Sequence, residues 1–525
     1  MNLHKAKVTS PTNIQFSEIF NLTVPFIDRH LEEGNGDKIL ARWNDNTLTF
    51  SALSEKINRM ASGLKRIGIQ QGERILILLR DDTSFLTSYF GALRIGAVAI
   101  PANYFQRAAD YAYILEDSGA RVIIATEEVI PEVDSALKHS GEAVIAKLCA
   151  ERSHATWEAL DTFLLMGDPE IAPAPTSPSS TAFWLYSSGS TGSPKAAIHQ
   201  HKDPVWISHL VGNNTLKLTK DDLLFSPPKM FFAYGLGNSV CFPFWFGCEM
   251  LLLRERPTAE NTLALLQTFQ PTVYFGVPTL YAMQLAMLED GTSCDFARLR
   301  WCHSGGEALP PALLEKWTNI SGCEIFDAIG SSEALHFYTC NTPGKIKVGS
   351  AGPMIPGYEG RVVDSDGVEV AKGEVGELMI RGESVATAYW NKPEKTEAAM
   401  VNGWFKTGDS VWQDSDGYIF FTGRANDMLK VGGIWVSPFE VESALMRHPA
   451  VLEAGVIGAP DKEGLIKPKA FVVLKQGHKT DENMVDTLTA FVREHLAPYK
   501  YPRWIEFLED LPKTASGKIQ RFRLK

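Results

Sequence analysis

The chain contains no CxxC pair, and its seven cysteines are scattered from Cys149 to Cys340. An odd, dispersed set of this kind excludes a disulfide scaffold and a structural zinc ribbon, and points to free thiols in a reducing compartment. No run of about 18 apolar residues occurs, so no transmembrane helix is expected. A basic surplus is missing too: 62 acidic residues against 51 basic ones leave a formal charge of −11, which argues against a nucleic-acid-binding face. Internal repeats are absent, and Met1-Asn-Leu-His-Lys5 lacks the apolar core of a secretory signal. The expected location is therefore cytoplasmic. What is present is ordinary for a globular protein: 45% hydrophobic and 22% charged residues in a chain of 525, long enough for several domains.

The most informative stretch is Tyr186-Ser-Ser-Gly-Ser-Thr-Gly-Ser-Pro-Lys195. It follows an apolar run, Thr181–Tyr186, that reads as a strand ending in a loop, and it precedes Ala196-Ala-Ile198. Glycines let backbone N–H groups close on an anion, hydroxyls add donors, and the lysine adds charge, so the loop suits a polyphosphate. It is not a Walker A loop, because Pro194 precedes Lys195 and Ala196 follows it, leaving no hydroxyl for magnesium. By composition alone, a solvated Gly/Ser linker is the alternative.

Residues near 20–60 read as helical, with Thr49 capping an apolar stripe. Glu73–Leu79, Ala97–Ile100 and Arg121–Ala125 read as buried strands and Phe85–Ile95 as a helix, an alternation that predicts layered α/β structure with parallel sheets. Ile171–Ser180 is a Pro/Ser-rich connector. From about 345 to 425, short strands between Asp-Gly and Gly turns (Gly360–Val363, Gly376–Arg381) predict a small antiparallel barrel or meander. Beyond Asn426, a helix over Val436–Arg447, strands at Val451–Ile457 and Lys469–Leu474, and a helix at Asp486–Leu496 predict a separate small domain.

Four further stretches place acids, hydroxyls or a lysine on Gly turns: His303–Pro310, Asp327–Glu333, Thr407–Asp409 and Pro512–Lys518. Carboxylate with phosphate oxygens is the donor set magnesium prefers. A turn carboxylate such as Asp409 fits a ribose diol, or simply caps its own backbone. Tyr186–Lys195, Gly330–Glu333, Thr407–Asp409, Gly423-Arg424, Lys430–Gly433 and Pro512–Lys518, in this order, resemble the core motifs of the adenylate-forming superfamily, over roughly residues 40 to 525. Phe231–Asn238, Ser304–Pro310, Ala334–His336, Val436–Phe439 and Ala497–Pro502 are most similar to benzoate-CoA ligases.

The resemblance implies an α/β fold with a large N-terminal body of layered sheets plus a small β-barrel (1–425). A mobile, small α+β C-terminal domain (426–525) follows. It implies an AMP-forming ligase that joins an aromatic carboxylic acid to coenzyme A at the expense of ATP with Mg²⁺, through an acyl-adenylate. The catalytic set it implies is Thr191, Lys195, Glu333 (also the metal ligand), Lys430 and Lys518, the last bridging carboxylate and phosphate. Ser187, Ser188, Gly189 and Ser332 would meet the phosphates; Gly306, Glu307, Ala308, Asp327, Ala328 and Ile329 the adenine; Asp409 and Arg424 the ribose. Many relatives carry an aromatic where Ile329 stands, and its aliphatic face still packs on a purine.

Rotation about Asn426, where many relatives carry Asp or Lys, would withdraw Lys518 and open a pantetheine tunnel at Gly433. The acid would lie among Ala233, Tyr234, Gly305, Gly330, His336 and Phe337. Phe337 is bulkier than expected for a benzoate enzyme and His303 is unusual, so furoate, hydroxybenzoate, aminobenzoate and cyclohexanecarboxylate stay open alongside benzoate. The alternatives are an adenylating enzyme that loads a free-standing carrier protein and, from another class, a non-catalytic adenylate binder. The retention of Lys195, Glu333 and Lys518 argues against the latter. Similar bacterial ligases also suggest a lysine acetyltransferase acting on Lys518. Monomer and homodimer both remain open.

Overall fold

The computed structural model describes residues 4–189, 192–424, 428–431, 434–462, 465–497, 499–513 and 519–524. Two large sheets form the N-terminal body. In the first, seven strands run in the spatial order Gly192–Gln200, Thr181–Gly189, Val98–Pro101, Arg74–Leu78, Val122–Ala125, Ala146–Cys149 and Glu158–Ala159. All neighbours are parallel except the first two, which form an edge hairpin. The central strands Ile75–Leu78 and Val122–Ala125 are buried throughout, as expected for parallel strands covered on both faces.

The second sheet runs Phe337–Cys340, Ile325–Gly330, Trp301–Ser304, Val273–Gly276, Leu223–Phe225, Glu249–Leu251, Ile39–Trp43 and Asn46–Thr49. Helices Phe50–Arg66 and Thr83–Arg94 lie in the main core, which is continuous with both sheets. The Thr49 hydroxyl accepts from the Ala52 N–H, and Leu53, Ile57, Met60, Ala61 and Leu64 form the buried stripe that the capped pattern predicts. The segment before it differs from the helical expectation. Ile39–Trp43 and Asn46–Thr49 pair as a hairpin whose two-residue loop begins at Asn44, with φ +48°. Asn-Asp at such a loop is hairpin chemistry, and it overrides the apolar spacing.

Residues 359–424 form a five-stranded antiparallel sheet. The C-terminal part encloses a core of its own, built from Val436, Val441, Leu445, Val456, Val472, Leu488 and Val492 among others. Helix Pro438–Met446 starts on a Ser437 cap, Glu482–His495 is the second helix, and Val451–Pro460, Ile466–Leu474 and Trp504–Phe507 make the sheet. The connector 171–180 is tied to the body: the Thr176 hydroxyl donates to the Phe20 carbonyl, and the Ala174 N–H to that of Arg94.

Candidate active site

The Gly/Ser-rich stretch expected to take phosphate belongs to the edge hairpin. Its first strand runs past Tyr186 to Gly189, and the second starts at Gly192, because antiparallel pairing continues through Ser187↔Lys195 to Gly189↔Gly192. Ser187 carries a buried Oγ with no partner. Ser188 and Gly189 lie on the first strand, and Thr191 falls outside the described residues.

Lys195 points from the hairpin into a charged triangle. Its Nζ lies 3.2 Å from Glu333 Oε1 and donates to the Tyr389 hydroxyl at 2.5 Å, and that hydroxyl donates to Glu333 Oε1 at 2.7 Å. Burial of Glu333 opposes ionisation, but the Lys195 ammonium and the Tyr389 hydroxyl outweigh it and hold the carboxyl below its ordinary value. Next to it, Ser332 is fixed through its carbonyl by His199 Nε2 at 2.8 Å, whose Nδ1 faces Asp203 at 3.0 Å. The neighbouring His201 accepts from the Leu22 N–H through Nδ1, which marks it as a structural residue. Among the described residues no group of three or more His, Cys, Asp or Glu side chains is arranged to hold a metal ion.

Asp409 and Arg424 are cross-strand partners in the antiparallel sheet and pair at 2.9 Å. Thr407–Asp409 lies within the strand Trp404–Gln413, not on a connecting turn; Gly408 at φ +72° supplies the local kink. The other Asp409 oxygen accepts from the Tyr338 hydroxyl at 3.0 Å, and Arg424 also donates to the Thr407 carbonyl. Gly306 turns the chain at φ +85° after strand Trp301–Ser304, and Glu307 accepts from the Thr279 hydroxyl. Ser304 and Asp327 are register partners on adjacent parallel strands, each with a buried oxygen lacking a partner. Ala328 turns its side chain into the main core, and Ile329, half-buried, packs against it.

Burial pushes the Asp327 carboxyl up to about 8, despite backbone hydrogen bonds at Ala328 and Leu309 that favour the anion. A proton held in the fold but released from the unfolded chain above its ordinary value near 4 stabilises the fold at low pH. That stabilisation is lost as pH rises toward about 8. Asp327→Asn cannot ionise, so its stability relative to the parent is expected to grow between about pH 5 and about pH 8 in denaturant unfolding of the ligand-free protein. A gap that stays constant over that range would refute the assignment.

The residues expected to receive the acid converge on one patch. Tyr234, His336 and Phe337 lie with ring centroids 4.3–5.7 Å apart. Ala233 opens the short helix that carries Tyr234. The Phe337 ring sits on Gly305, where a Cβ would come within 2.6 Å of it. At Gly330 the corresponding space is taken by the His336 carbonyl, 2.5 Å from where a Cβ would stand. His336 is held through Nε2 by the Asn238 side chain at 3.0 Å, and burial lowers its pKa to about 3, so the ring is neutral. His303 is buried behind Phe337 against Phe275 and Phe326, likewise neutral.

On the C-terminal side, Lys430 lies on the strand Leu429–Val431; Asn426, Gly433 and Lys518 fall outside the described residues. Lys513 and Ile519, which flank residues 514–518, line a cavity of about 140 Å³ together with Thr279, Glu307 and Ala308. Tyr389, Tyr338, Asn238 and the His199–Asp203 pair were not singled out from sequence as partners of the site. No local spacing marks them, since each acts on a residue distant in the chain.

The chain matches the family of AMP-binding enzymes over residues 28–390 and the AMP-binding enzyme C-terminal domain over 440–518. It is 42% identical to a benzoate–CoA ligase of Thauera aromatica, covering 98% of each chain. To a 4-hydroxybenzoate–CoA/benzoate–CoA ligase of Rhodopseudomonas palustris it is 40% identical, covering 96% of this chain and 94% of the relative. Among solved structures, it resembles the anthranilate CoA ligase AuaEII in complex with anthranoyl-AMP, with a TM-score of 0.93, 38% identity and 97% of each chain covered. A benzoate CoA ligase from Burkholderia xenovorans LB400 is similar at a TM-score of 0.88 and 39% identity, with 96% of this chain and all of that one covered.

Proposed function

The chain belongs to the AMP-binding enzyme family, and from that premise we propose that it is an AMP-forming aryl-carboxylate–CoA ligase. It converts an aromatic acid, ATP and CoA into acyl-CoA, AMP and pyrophosphate. The observation that carries this reading is the stretch Ser332–Tyr338. Glu333 reaches the hairpin lysine, His336 and Phe337 wall the aromatic slot, and Tyr338 holds Asp409. Four residues of one seven-residue stretch thereby touch the groups assigned to phosphate, acid and ribose.

A carboxylate resists nucleophiles because its charge repels them and oxide leaves poorly. Transfer to AMP makes that oxygen a good leaving group, which a thiolate then displaces. The first step brings two anions together, so fixed cations and donors aimed at the developing charge lower its barrier. Lys195, Ser187, Ser188, Thr191 and the backbone of Gly189 receive the phosphates, with Ser332 on the α-phosphate and Lys518 bridging it to the acid. Asp409 and Arg424 take the ribose; the segments 306–308 and 327–329 take the adenine. Glu333 suits Mg²⁺, since an anionic carboxylate beside bound phosphate is the donor set that ion takes. When bound, the ion supplies positive charge to the phosphoryl oxygens.

Rotation of residues 426–525 about Asn426 then replaces Lys518 by Lys430 and admits the thiol past Gly433. Acetylation of Lys518 by a lysine acetyltransferase would remove the charge that adenylation uses, and would register as loss of that half-reaction alone. Seven free cysteines support a reducing, cytoplasmic setting, and no helix among the described residues is long and apolar enough to cross a membrane.

The test is AMP release with benzoate, its hydroxy, amino and fluoro derivatives, furoate, cyclohexanecarboxylate, a cinnamate, hexanoate and acetate. Phe337 above Gly305 narrows the slot, so a flat ring is expected to outrun the cinnamate and the chain acids. CoA-dependent AMP release with a ring acid supports the ligase. Pyrophosphate release that CoA never accelerates would instead favour loading of a carrier protein.

A further inference from the structure

We propose that Tyr389 is a positioning residue for nucleotide binding, its hydroxyl bridging the Lys195 ammonium to Glu333 and fixing it where phosphate arrives. The phenol has one proton and two lone pairs. The proton goes to Glu333 Oε1 at 2.7 Å, and a lone pair accepts from Lys195 Nζ at 2.5 Å. The hydroxyl therefore bridges cation and carboxylate, which also pair directly at the longer 3.2 Å. The ring also carries the ammonium on its face, 4.0 Å from the centroid. The Lys195 side chain stays 23% exposed, which leaves the ammonium open to an arriving anion.

The phenol is itself held rigidly. Tyr389 is 3% exposed, and residues 388–390 dock along the edge of the hairpin's second strand. The Ile198 N–H donates to the Ala388 carbonyl at 3.0 Å, and the Trp390 N–H to that of Ala196 at 2.9 Å. The Tyr389 N–H donates to the Thr396 hydroxyl at 3.0 Å. A lysine on four rotatable carbons has no such rigidity, so an ammonium deprived of the hydroxyl loses its fixed position beside Glu333. Tyr389 thus supplies geometry that the hairpin tip alone does not.

The proposal rests on the roles given above to Lys195 and Glu333. It is tested with Tyr389→Phe, which keeps the ring, measured by calorimetric binding of a non-hydrolysable α,β-methylene ATP analogue with Mg²⁺. The expected result is an affinity about tenfold weaker, in line with loss of one hydrogen bond to a charged group, at a melting temperature near that of the parent. In a Lys195→Met background, where no ammonium remains to be placed, the same change is expected to shift affinity by less than about twofold. An equal loss in both backgrounds would reduce Tyr389 to a packing residue and overturn the proposal, as would unchanged affinity in the single variant. A parent protein that fails to bind the analogue would overturn the ligase function along with it, so the two failures are told apart.

Discussion

Replacing Lys518 with alanine is expected to slow acyl-adenylate formation by about 10²- to 10³-fold, the scale of losing one preorganised group at a developing charge. The charge argument makes the effect large: the reacting carboxylate and the α-phosphate are both anionic, and this cation is assigned to neutralise both at once. The described residues Lys513 and Ile519 share a cavity with Glu307 and Ala308, two of the residues assigned to the adenine. Because the second half-reaction is assigned to the other face of the C-terminal domain, thioester formation from chemically supplied acyl-adenylate should stay within about threefold of the parent. Pyrophosphate–ATP exchange measures the first step and single-turnover thiolysis the second. Equal losses in both would remove the division of labour between Lys518 and Lys430.

Glu333→Gln is the second large effect. The carboxylate is nearly buried, accepts from Tyr389 and pairs with Lys195, so the amide leaves an ammonium in a confined space without its counter-charge. Breaking a fully buried pair costs about 3–5 kcal/mol, and the partial exposure of Lys195 places this one at or below the lower end. Catalysis is expected to suffer more than stability, by about 10²- to 10³-fold, because the anion assigned to Mg²⁺ is lost as well. The half-saturating Mg²⁺ concentration in pyrophosphate exchange should rise alongside. A variant with normal Mg²⁺ dependence and a merely lower melting temperature would make Glu333 a structural acid.

Several of the turns and strands that carry the candidate site residues were legible in the sequence. The Gly/Ser-rich hairpin and the Gly306 turn announce themselves because a backbone turning sharply at the end of a strand needs Gly and hydroxyls, whereas Asp409, read as a turn carboxylate, lies within a strand. The parallel strands were equally plain, since covering both faces forces unbroken apolar runs. The 39–49 hairpin was misread because its strands are short and its signal lies in Asn44 and Asp45 rather than in hydrophobic spacing.

What sequence alone determined, then, is whatever short-range chemistry dictates: strand and helix identity, capping, turn residues, and the order of motifs that identifies the family. Which of those residues touch was decided by tertiary structure. Tyr389 meets Lys195 across 194 residues of chain, His199 meets Ser332 across 133, and Tyr338 meets Asp409 across 71. Whether Gly305 opens a slot or is roofed by Phe337 is likewise set by how neighbouring segments pack. Side-chain contacts at such separations depend on sheet order and register, which no local pattern encodes.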